Sequence, residues 1–554
     1  MPLSLPILRS PGARALWVGS AVITIVIGLW AELSFNVGPH GLTPIFVYLF
    51  AVGDSSASIS MLLVLLVAAL VPARFSATPL LLWIGRHPGA IATFAFVTLS
   101  CGAWVVYRAA PLCMDEYAPY LQSQAFAAGH LSGQFPPALL DWLIPRGFQD
   151  AFLNVSHASG RIASAYWPSF ALLLAPFSWL GIPWICNPLI SALTLLAVQR
   201  LAMGIFADHE SAGMAMLLTL ASPVFFANGI SYYSMPAHLL ADTLYAVLLI
   251  QPTPRRAFTA GIIGSVALTL HNPVPHLLFA LPWIVSLLGR PGGLRIGRWL
   301  FAGYIPLCLL LGVGWIWFSS RLIDADMNLA SGRLGSAFAL PSSAILLARL
   351  IGVAKIWMWA VPGLLLLAAA GAWRQRHDTA CRLLTASALA TLLGYLFVPL
   401  DQGHGWGFRY FHSAWVALPI LAAAALKPGS PEHRTQLFDD AATRTLVAAC
   451  ALLMLAGGVG FRAVQMRAFI SRHQEQMPAY SGTERRVVII DSRLSFYGRD
   501  LVQNDPWLRG DVIRMTSHGS PADAQMMQEH FPGLHQVYSD RFGSVWSAAA
   551  AAAP

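Results

Sequence analysis

Apolar runs of about 17–25 residues recur from the N-terminus to about residue 464, and each is long enough to cross a bilayer as a helix. Hydrophobic residues make up 56% of the 554 residues, whereas charged residues make up 11%. A water-soluble domain with one core does not carry so many long apolar runs. The sequence therefore predicts an all-α polytopic membrane protein.

We predict about thirteen spans in this chain. Their approximate bounds are 15–33, 57–72, 90–108, 185–206, 211–230, 235–251, 257–272, 275–289, 299–318, 350–372, 381–398, 410–426 and 445–464. Arg and Lys are concentrated in alternate loops, and the positive-inside rule makes those loops and the N-terminus cytoplasmic. The C-terminus is then outside. No small-x-small cleavage site follows the first apolar run, so we expect a retained helix rather than a signal peptide.

The net charge of +9 comes almost wholly from Arg, since Lys355 and Lys427 are the only lysines. We find no basic cluster interleaved with aromatic residues, and therefore expect no nucleic-acid partner. The six cysteines are scattered, without a CxxC or metal-like spacing. Cys113 and Cys186 are both expected near the outer face, which leaves a disulfide between them open.

Three outer segments are longer than simple connections: 109–184, 319–349 and 401–410. Loops of this length in a compact protein are usually functional. The first begins with the acidic pair Asp115-Glu116 and continues into a predicted helix that stops at Gly129. It also holds an apolar stretch that we expect to be an interfacial helix, at 166–180.

The polar segment 465–554 predicts a small α/β domain on the outer side, following a membrane domain at 1–464. Strand-like runs at Val487–Ile490 and Asp511–Met515, a helical stretch at Ala522–Glu529 and an extended run near Val537–Tyr538 indicate this class. We expect the domain to cover a cavity or position an acceptor, without contributing to a chemical step. The final Ala-rich run is predicted to be disordered.

Several short motifs together resemble the C-type (GT-C) glycosyltransferases, in particular bacterial relatives of aminoarabinose transferases and protein mannosyltransferases. The motifs are Met114-Asp115-Glu116-Tyr117, Gly129-x-Leu131, Pro136-Pro137, Gly160-Arg161-x-x-Ser164-x-Tyr166-x-Pro168 and Gly405-x-Gly407-x-Arg409-Tyr410. The resemblance implies a GT-C fold that uses a polyprenyl-phosphate-linked sugar donor. It also implies contact with membrane lipids and a cell-envelope acceptor, at the outer face of a bacterial inner membrane.

The acidic pair is the predicted catalytic site. An acceptor hydroxyl or amine must lose a proton as it attacks the sugar, and a positioned carboxylate can take that proton. The resemblance implies that Asp115, the first acid, is this base, and that Glu116 orients Asp115 or binds acceptor. The alternative for Asp115 is a helix cap, because Asp is a favoured capping residue.

Cations are expected to bind the phosphate of the donor. Arg409 lies among glycines that would let backbone approach a ligand, and arginine binds phosphate through two N–H groups. Lys355 lies in an apolar stretch, where a cation is a functional candidate. For both, the alternative is a side chain that reaches the lipid headgroups. Arg161 and Arg333 are weaker candidates of the same kind.

The remaining candidates are His238, Asp242, His271, His404 and Tyr410. His238 and Asp242 are four residues apart and share one helix face, which leaves two alternatives open: they line the donor cavity, or they pair with each other. His271 lies at an outer helix turn, and His404 and Tyr410 flank Arg409. A divalent cation held by the acidic pair and one histidine is conceivable, although the spacing does not require it.

Two other classes of function stay open. A transporter or flippase of lipid-linked sugars would be expected to show inverted repeats and broken helices at mid-membrane. A non-catalytic assembly subunit would keep the fold without the chemistry. The polar residues of this sequence gather in large loops on one face, which favours an enzyme.

Overall fold

The computed structural model describes residues 6–37, 41–72, 75–323, 338–428, 437–479, 482, 484–493 and 495–548. Within these ranges seven helices are long and apolar enough to cross a membrane: Pro11–Phe35, Pro44–Ala69, Pro88–Val105, Pro183–Phe206, Gly293–Leu322, Thr379–Phe397 and Ala441–Gln474. The pair His209–Ala221 and Pro223–Gly229, bent by 63°, forms an eighth span if it is counted as one. The chain is therefore a multi-pass membrane protein.

Shorter helices lie in most of the other predicted spans: Met235–Leu249, Pro254–Leu268, Val274–Leu288, Ser343–Met358, Leu364–Arg374 and Ala417–Leu426. The stretch 166–180, predicted as an interfacial helix, contains the apolar helix Ser169–Trp179, and a further short helix is Thr78–Arg86. The predicted single span 350–372 is wrong, because its helix ends at Met358 and a new one begins at Leu364. Gly363 between them has φ +83°, a backbone conformation that glycine adopts without a steric cost. The total of about thirteen spans stays a prediction.

The core of the bundle lies around two helices that are buried on all sides. Every residue of Ala417–Leu426 is buried, and so is Ser211–Ala221 in the neighbouring helix. The outer helices instead expose large apolar side chains such as Leu33, Trp104 and Leu310. Such outward-facing apolar surface suits a protein surrounded by lipid.

An outer layer of strands and short helices covers one end of the bundle. The first outer segment forms the helix Met114–Ala127, hereafter the site helix, and an antiparallel sheet with Arg161–Ser164 between Gly133–Gln134 and Leu153–Val155. The C-terminal sheet has the strand order Val512–Thr516, Arg486–Ile490, Gly543–Ser547, His535–Asp540, and the helix Ser520–His530 follows its first edge strand. The first pair of strands is parallel and the others are antiparallel. The predicted C-terminal strands and helix are confirmed to within a few residues.

The outer segment 109–184 and the C-terminal domain share one hydrophobic core. Leu121 and Phe135 from the first region belong to the same buried cluster as Ile489 and Met515 from the second. The predicted domain boundary at 464 falls inside a continuous helix, which runs on to Gln474. The two outer regions are therefore packed together as one layer. The Ala-rich end beyond residue 548 lies outside the described residues.

The two outer cysteines do not form a disulfide. Cys113 and Cys186 are both free thiols in buried positions. The Cys113 sulfur lies 3.1 Å from the Tyr233 hydroxyl, and the Cys186 sulfur lies 3.8 Å from the Leu173 carbonyl oxygen. Packing and hydrogen bonding hold these segments instead.

Candidate active site

The acidic pair occupies the first turn of the site helix. Consecutive helical residues point about 100° apart, so two adjacent acids face different surroundings. Asp115 faces the outer segment 401–410, whereas Glu116 faces the interior of the bundle. The two carboxylates therefore have separate roles.

Asp115 pairs with Arg409, a residue 294 positions later in the chain. Its Oδ2 lies 2.9 Å from Arg409 Nη2, and its Oδ1 accepts a hydrogen bond from the Tyr166 hydroxyl. The Asp115 side chain is 19% exposed and the Arg409 side chain 6% exposed. The structure thus brings the predicted base and the predicted phosphate-binding residue together, with the carboxylate still accessible.

Arg409 is held by the loop that carries it. Its Nη2 donates to the Gln402 carbonyl oxygen, and its backbone N–H donates to Gln402 Oε1 at 2.8 Å. The guanidinium carbon lies 4.5 Å from the centre of the Tyr233 ring. Arg409 Nε is buried without a hydrogen-bond partner among the described residues. One donor of this cation is therefore unused.

Two of the glycines around Arg409, Gly405 and Gly407, leave room for neighbouring side chains of the protein. A Cβ on Gly405 would lie 2.5 Å from Arg409 Nε and 2.6 Å from its Cδ. Gly407 has φ +71°, and a Cβ there would lie 2.7 Å from a methyl group of Val224. Side chains at these positions would displace Arg409 or the loop.

Two of the predicted histidines surround the pair without contacting Asp115. His404 Nδ1 lies 2.7 Å from the Tyr233 hydroxyl, and the His271 ring lies 4.0 Å from the Tyr166 ring. Burial lowers the pKa of His271 to about 4 and the pKa of His404 well below its ordinary value. Both rings are therefore neutral near pH 7 and do not add positive charge. Tyr410 donates to the Asp401 carbonyl oxygen at 2.8 Å and so fixes the loop.

Glu116 lies in the protein interior, and its role as an orienting or acceptor-binding residue stays a prediction. It is fully buried, and its carboxylate accepts from Tyr107 Oη at 2.7 Å, from Leu112 N at 2.6 Å and from Tyr232 N at 3.1 Å. Burial raises its pKa to about 7. These contacts fix the turn before the site helix. The metal grouping that the sequence left open is not formed, because within the described ranges no three His, Cys, Asp or Glu side chains could hold an ion together.

Lys355 belongs to a different ion cluster, which we call the Asp54 cluster. Its Nζ lies 3.0 Å from Asp54 Oδ2, while Asp54 Oδ1 accepts from Arg462 Nη2 and from Trp359 Nε1, each at 2.7 Å. The Lys355 side chain is 1% exposed. It therefore does not reach the headgroups, and it neutralises Asp54 rather than facing the Asp115–Arg409 pair.

His238 and Asp242 do not pair with each other. Asp242 Oδ1 lies 2.5 Å from Nδ1 of His276, on the next helix but one, and His276 Nε2 lies 2.7 Å from the Tyr304 hydroxyl. His238 is fully buried, and neither of its ring nitrogens has a hydrogen-bond partner among the described residues. The helix face that His238 and Asp242 share did not predict the partner of Asp242, because Asp242 pairs with a residue of another helix.

Arg161 lies away from the pair, where its Nε donates to Ser132 Oγ at 3.2 Å and its guanidinium lies 5.7 Å from the Phe318 ring. Arg333 lies outside the described residues. The sequence reasoning missed the contributions of Tyr166, Tyr233, Gln402 and Asp500. Tyr166 stood in a quoted motif and could have been found there, whereas no sequence pattern indicated Tyr233 or Asp500.

The bundle and its one-sided outer layer have the GT-C fold. Among solved structures, ArnT from Cupriavidus metallidurans bound to undecaprenyl phosphate is similar, with a TM-score of 0.52, 13% identity, and coverage of 83% of this chain and 99% of that one. ArnT from the same organism in the apo state gives a TM-score of 0.47, 12% identity and the same coverage. No family model matches the sequence, and no curated protein matches it. The similarity shows the fold.

Proposed function

We propose that this protein is a glycosyltransferase that moves a sugar from a polyprenyl-phosphate carrier to an acceptor at the outer face of the membrane. The observation that carries the proposal is the accessible Asp115 carboxylate, 2.9 Å from Arg409. A base and a cation side by side suit a reaction that removes a proton and releases a phosphate. The structurally similar ArnT was solved with undecaprenyl phosphate bound, which supports this donor class.

The reaction would be a single displacement. An acceptor hydroxyl or amine attacks the anomeric carbon, and its proton passes to the Asp115 carboxylate. The bond between that carbon and the phosphate oxygen breaks, and its electron pair leaves with polyprenyl phosphate. The new bond forms on the face opposite the leaving group, so the anomeric configuration inverts. Arg409 would stabilise the negative charge that builds up on the departing phosphate.

The ion pair also suggests how donor binding and the availability of Asp115 are coupled. While Arg409 holds Asp115, the guanidinium occupies one of the two carboxylate oxygens, at 2.9 Å. A phosphate competes for the same guanidinium, which offers several N–H donors in a planar fork. Binding of the donor would draw Arg409 toward phosphate and leave Asp115 free to accept a proton. The Tyr166 hydroxyl would keep the carboxylate in place during this exchange.

An apolar cavity in the bundle could hold part of the carrier's lipid tail. Its volume is about 480 Å³, and it is lined by Phe94, Ala95, Thr98, Leu99, Leu220, Phe225, Phe226, Leu452, Leu455, Ala456 and Val459. The helix Pro223–Gly229 contributes to this lining and also contacts the loop of Arg409, because Asn228 Nδ2 donates to the Trp406 carbonyl oxygen at 3.5 Å. The cavity and the phosphate-binding residue thus meet at one helix.

One observation bears on the transporter alternative, namely the bent pair His209–Ala221 and Pro223–Gly229. Broken helices in transporters present backbone groups to their cargo. Here the bend is closed by the protein, since Val224 N donates to the Trp359 carbonyl oxygen at 3.2 Å and Ser222 Oγ donates to the Leu218 carbonyl oxygen at 2.7 Å. The bend therefore gives no support to transport over catalysis.

The test is a transfer assay with protein in lipid nanodiscs. Undecaprenyl-phosphate sugars with a labelled sugar would be offered together with a bacterial envelope lipid and glycan extract. We expect labelled acceptor and free undecaprenyl phosphate in equal amounts, with little of either from Asp115→Asn. A parallel assay would use the same protein in sealed lipid vesicles. Movement of the donor across the vesicle membrane, without any labelled acceptor in the nanodisc assay, would support the flippase and overturn the proposal.

A further inference from the structure

A short stretch of the C-terminal domain, residues 497–504, lies against the site helix; we call it the clasp. The backbone N–H of Met114 donates to Asp500 Oδ1 at 2.7 Å, across 386 residues of sequence. The first N–H groups of a helix lack partners within the helix and need acceptors from elsewhere. Cys113, at the capping position, makes no side-chain hydrogen bond to the N–H groups of the helix. Asp500, which is 4% exposed, supplies the acceptor from another part of the chain.

A second contact fixes the same helix almost one turn later. The Tyr117 hydroxyl donates to the Asn504 carbonyl oxygen at 2.6 Å and accepts from Asn504 N at 2.9 Å. The Asn504 side chain is itself bonded to both backbone groups of Arg514, each at 2.8 Å, in a strand of the C-terminal sheet. Two ties to a sheet-anchored segment restrict both the position and the rotation of the site helix. Asp115 lies between them.

A third contact reaches the other half of the site. The Tyr497 ring stacks on His404, with centroids 5.6 Å apart and planes 22° apart. His404 in turn bonds to Tyr233, on whose ring Arg409 rests. Tyr497 has φ +67°, a conformation that a residue other than glycine adopts at a cost, typically where the surroundings require it. The clasp therefore contacts the supports of both Asp115 and Arg409.

We infer that the clasp positions Asp115 against Arg409, with Asp500 as the positioning residue, so that the C-terminal domain completes the active site. This inference rests on the proposed function and deepens it. It replaces the expectation from sequence that residues 465–554 only cover the cavity or position the acceptor. Asp500 touches neither reacting group; it acts through the first turn of the site helix.

The first test compares Asp500→Ala with Asp500→Asn in the full-length protein. Displacement of a catalytic group by about 1 Å can cost 10²-fold in rate, so we expect kcat of Asp500→Ala to fall by roughly ten- to a hundredfold with a small change in donor KM. Asp500→Asn keeps the acceptor oxygen and should recover most of the rate. The matched control is Asp523→Ala, which removes a buried acid whose described partners, Ser517 and His518, lie within the same domain.

Asp523→Ala should lower Tm but leave kcat of the folded protein near that of the parent. If Asp500→Ala lowers Tm without a larger loss of kcat than Asp523→Ala, the residue is merely structural and the inference is wrong. Hydrogen exchange provides a readout that needs no substrate. We expect faster exchange at the Met114–Tyr117 amides in Asp500→Ala than in the parent or Asp523→Ala, and unchanged exchange there would overturn the inference. If the parent transfers no sugar while exchange changes as expected, the proposed function fails and the positioning contact stands.

Discussion

Two carboxylate–cation groups in this chain, the Asp54 cluster and the Asp115–Arg409 pair, are built from the same residue types for different ends. Asp54 is fully buried, and both its oxygens are occupied by Lys355, Arg462 and Trp359. Asp115 is 19% exposed, and its partner Arg409 retains a buried Nε without a partner among the described residues. In the first group, protein groups bind both carboxylate oxygens and no solvent reaches them. In the second group, the acid is partly exposed and the arginine has an N–H group that none of the described residues uses.

The extent to which protein groups occupy a charged cluster distinguishes a structural cluster from a candidate catalytic one better than the presence of charge does. The sequence made both Arg409 and Lys355 candidates for phosphate binding, Arg409 because it lies among glycines and Lys355 because it is a cation in an apolar stretch. A cation that is saturated by protein groups cannot also bind a phosphate without breaking a buried pair. A cation that shares one acidic partner and lies beside solvent can exchange that partner for a ligand.

The largest expected effect is at Asp115. Asp115→Asn keeps the size of the side chain and removes its basicity, so kcat should fall by about 10²–10⁴, the usual contribution of a general base. Tm should fall less than on removal of Asp54, because Asp115 is partly exposed and Asn retains an acceptor for Tyr166. Normal turnover by this variant would mean that Asp115 is a helix-capping residue. Asp115 would then have a structural role, as Asp54 does.

Removal of Asp54 should act on stability instead. Asp54→Ala leaves Lys355 and Arg462 buried without their counter-ion, and breaking a buried pair in this way costs about 3–5 kcal/mol of unfolding free energy. The matched control is Asp141→Ala, which removes a pair with the exposed Arg146 and should cost much less, because solvent screens an exposed pair. Thermal unfolding in nanodiscs measures the stability of both variants. Equal losses of stability would show that the Asp54 cluster contributes no more than an exposed ion pair.

Arg409 should affect donor use in a graded manner. Arg409→Lys keeps the charge but loses the planar fork, so we expect roughly a tenfold fall in kcat/KM for the donor, against about 10²–10³ for Arg409→Ala. Lys355→Ala should leave the donor KM of the folded protein unchanged while lowering Tm. A donor KM that rises more in Lys355→Ala than in Arg409→Ala would reverse the two assignments.

The smallest expected effect is the pH dependence that Asp500 contributes. Burial raises the pKa of Asp500 to about 8, and the neighbouring Asp115 and Glu116 act in the same direction. The folded state then binds this proton more tightly than the unfolded state, so stability is lost as pH rises through about 8. We expect Tm to fall by a few degrees between pH 6 and pH 9, and the fall to be smaller in Asp500→Asn. An equally steep fall in both proteins would assign the dependence to another group, such as Glu116.

The sequence predicted the helical membrane class and the strands of the C-terminal domain because these follow from local periodicity. It also singled out Asp115 and Arg409, since the motifs around them resemble a known family, and the structure brings these two side chains together. It did not reveal the surroundings of Glu116 or Lys355, because neighbouring positions in a sequence do not show which way each side chain points: Glu116 is buried against Tyr107, and Lys355 pairs with Asp54. Asp54 and Asp500 were missed for a related reason: each meets its partners across 300 residues or more, and only the packed structure brings them together.

The distance along the chain between Met114 and Asp500 has a consequence for biogenesis. The clasp lies 386 residues downstream of the helix that it caps. At synthesis rates of about 5–20 residues per second, the ribosome needs roughly 20–80 s to make that interval. During this time the site helix would lack the acceptor that Asp500 supplies. Catalytic competence would then arrive only with the final part of the chain, so that truncated products left in the membrane would be inert toward the carrier pool.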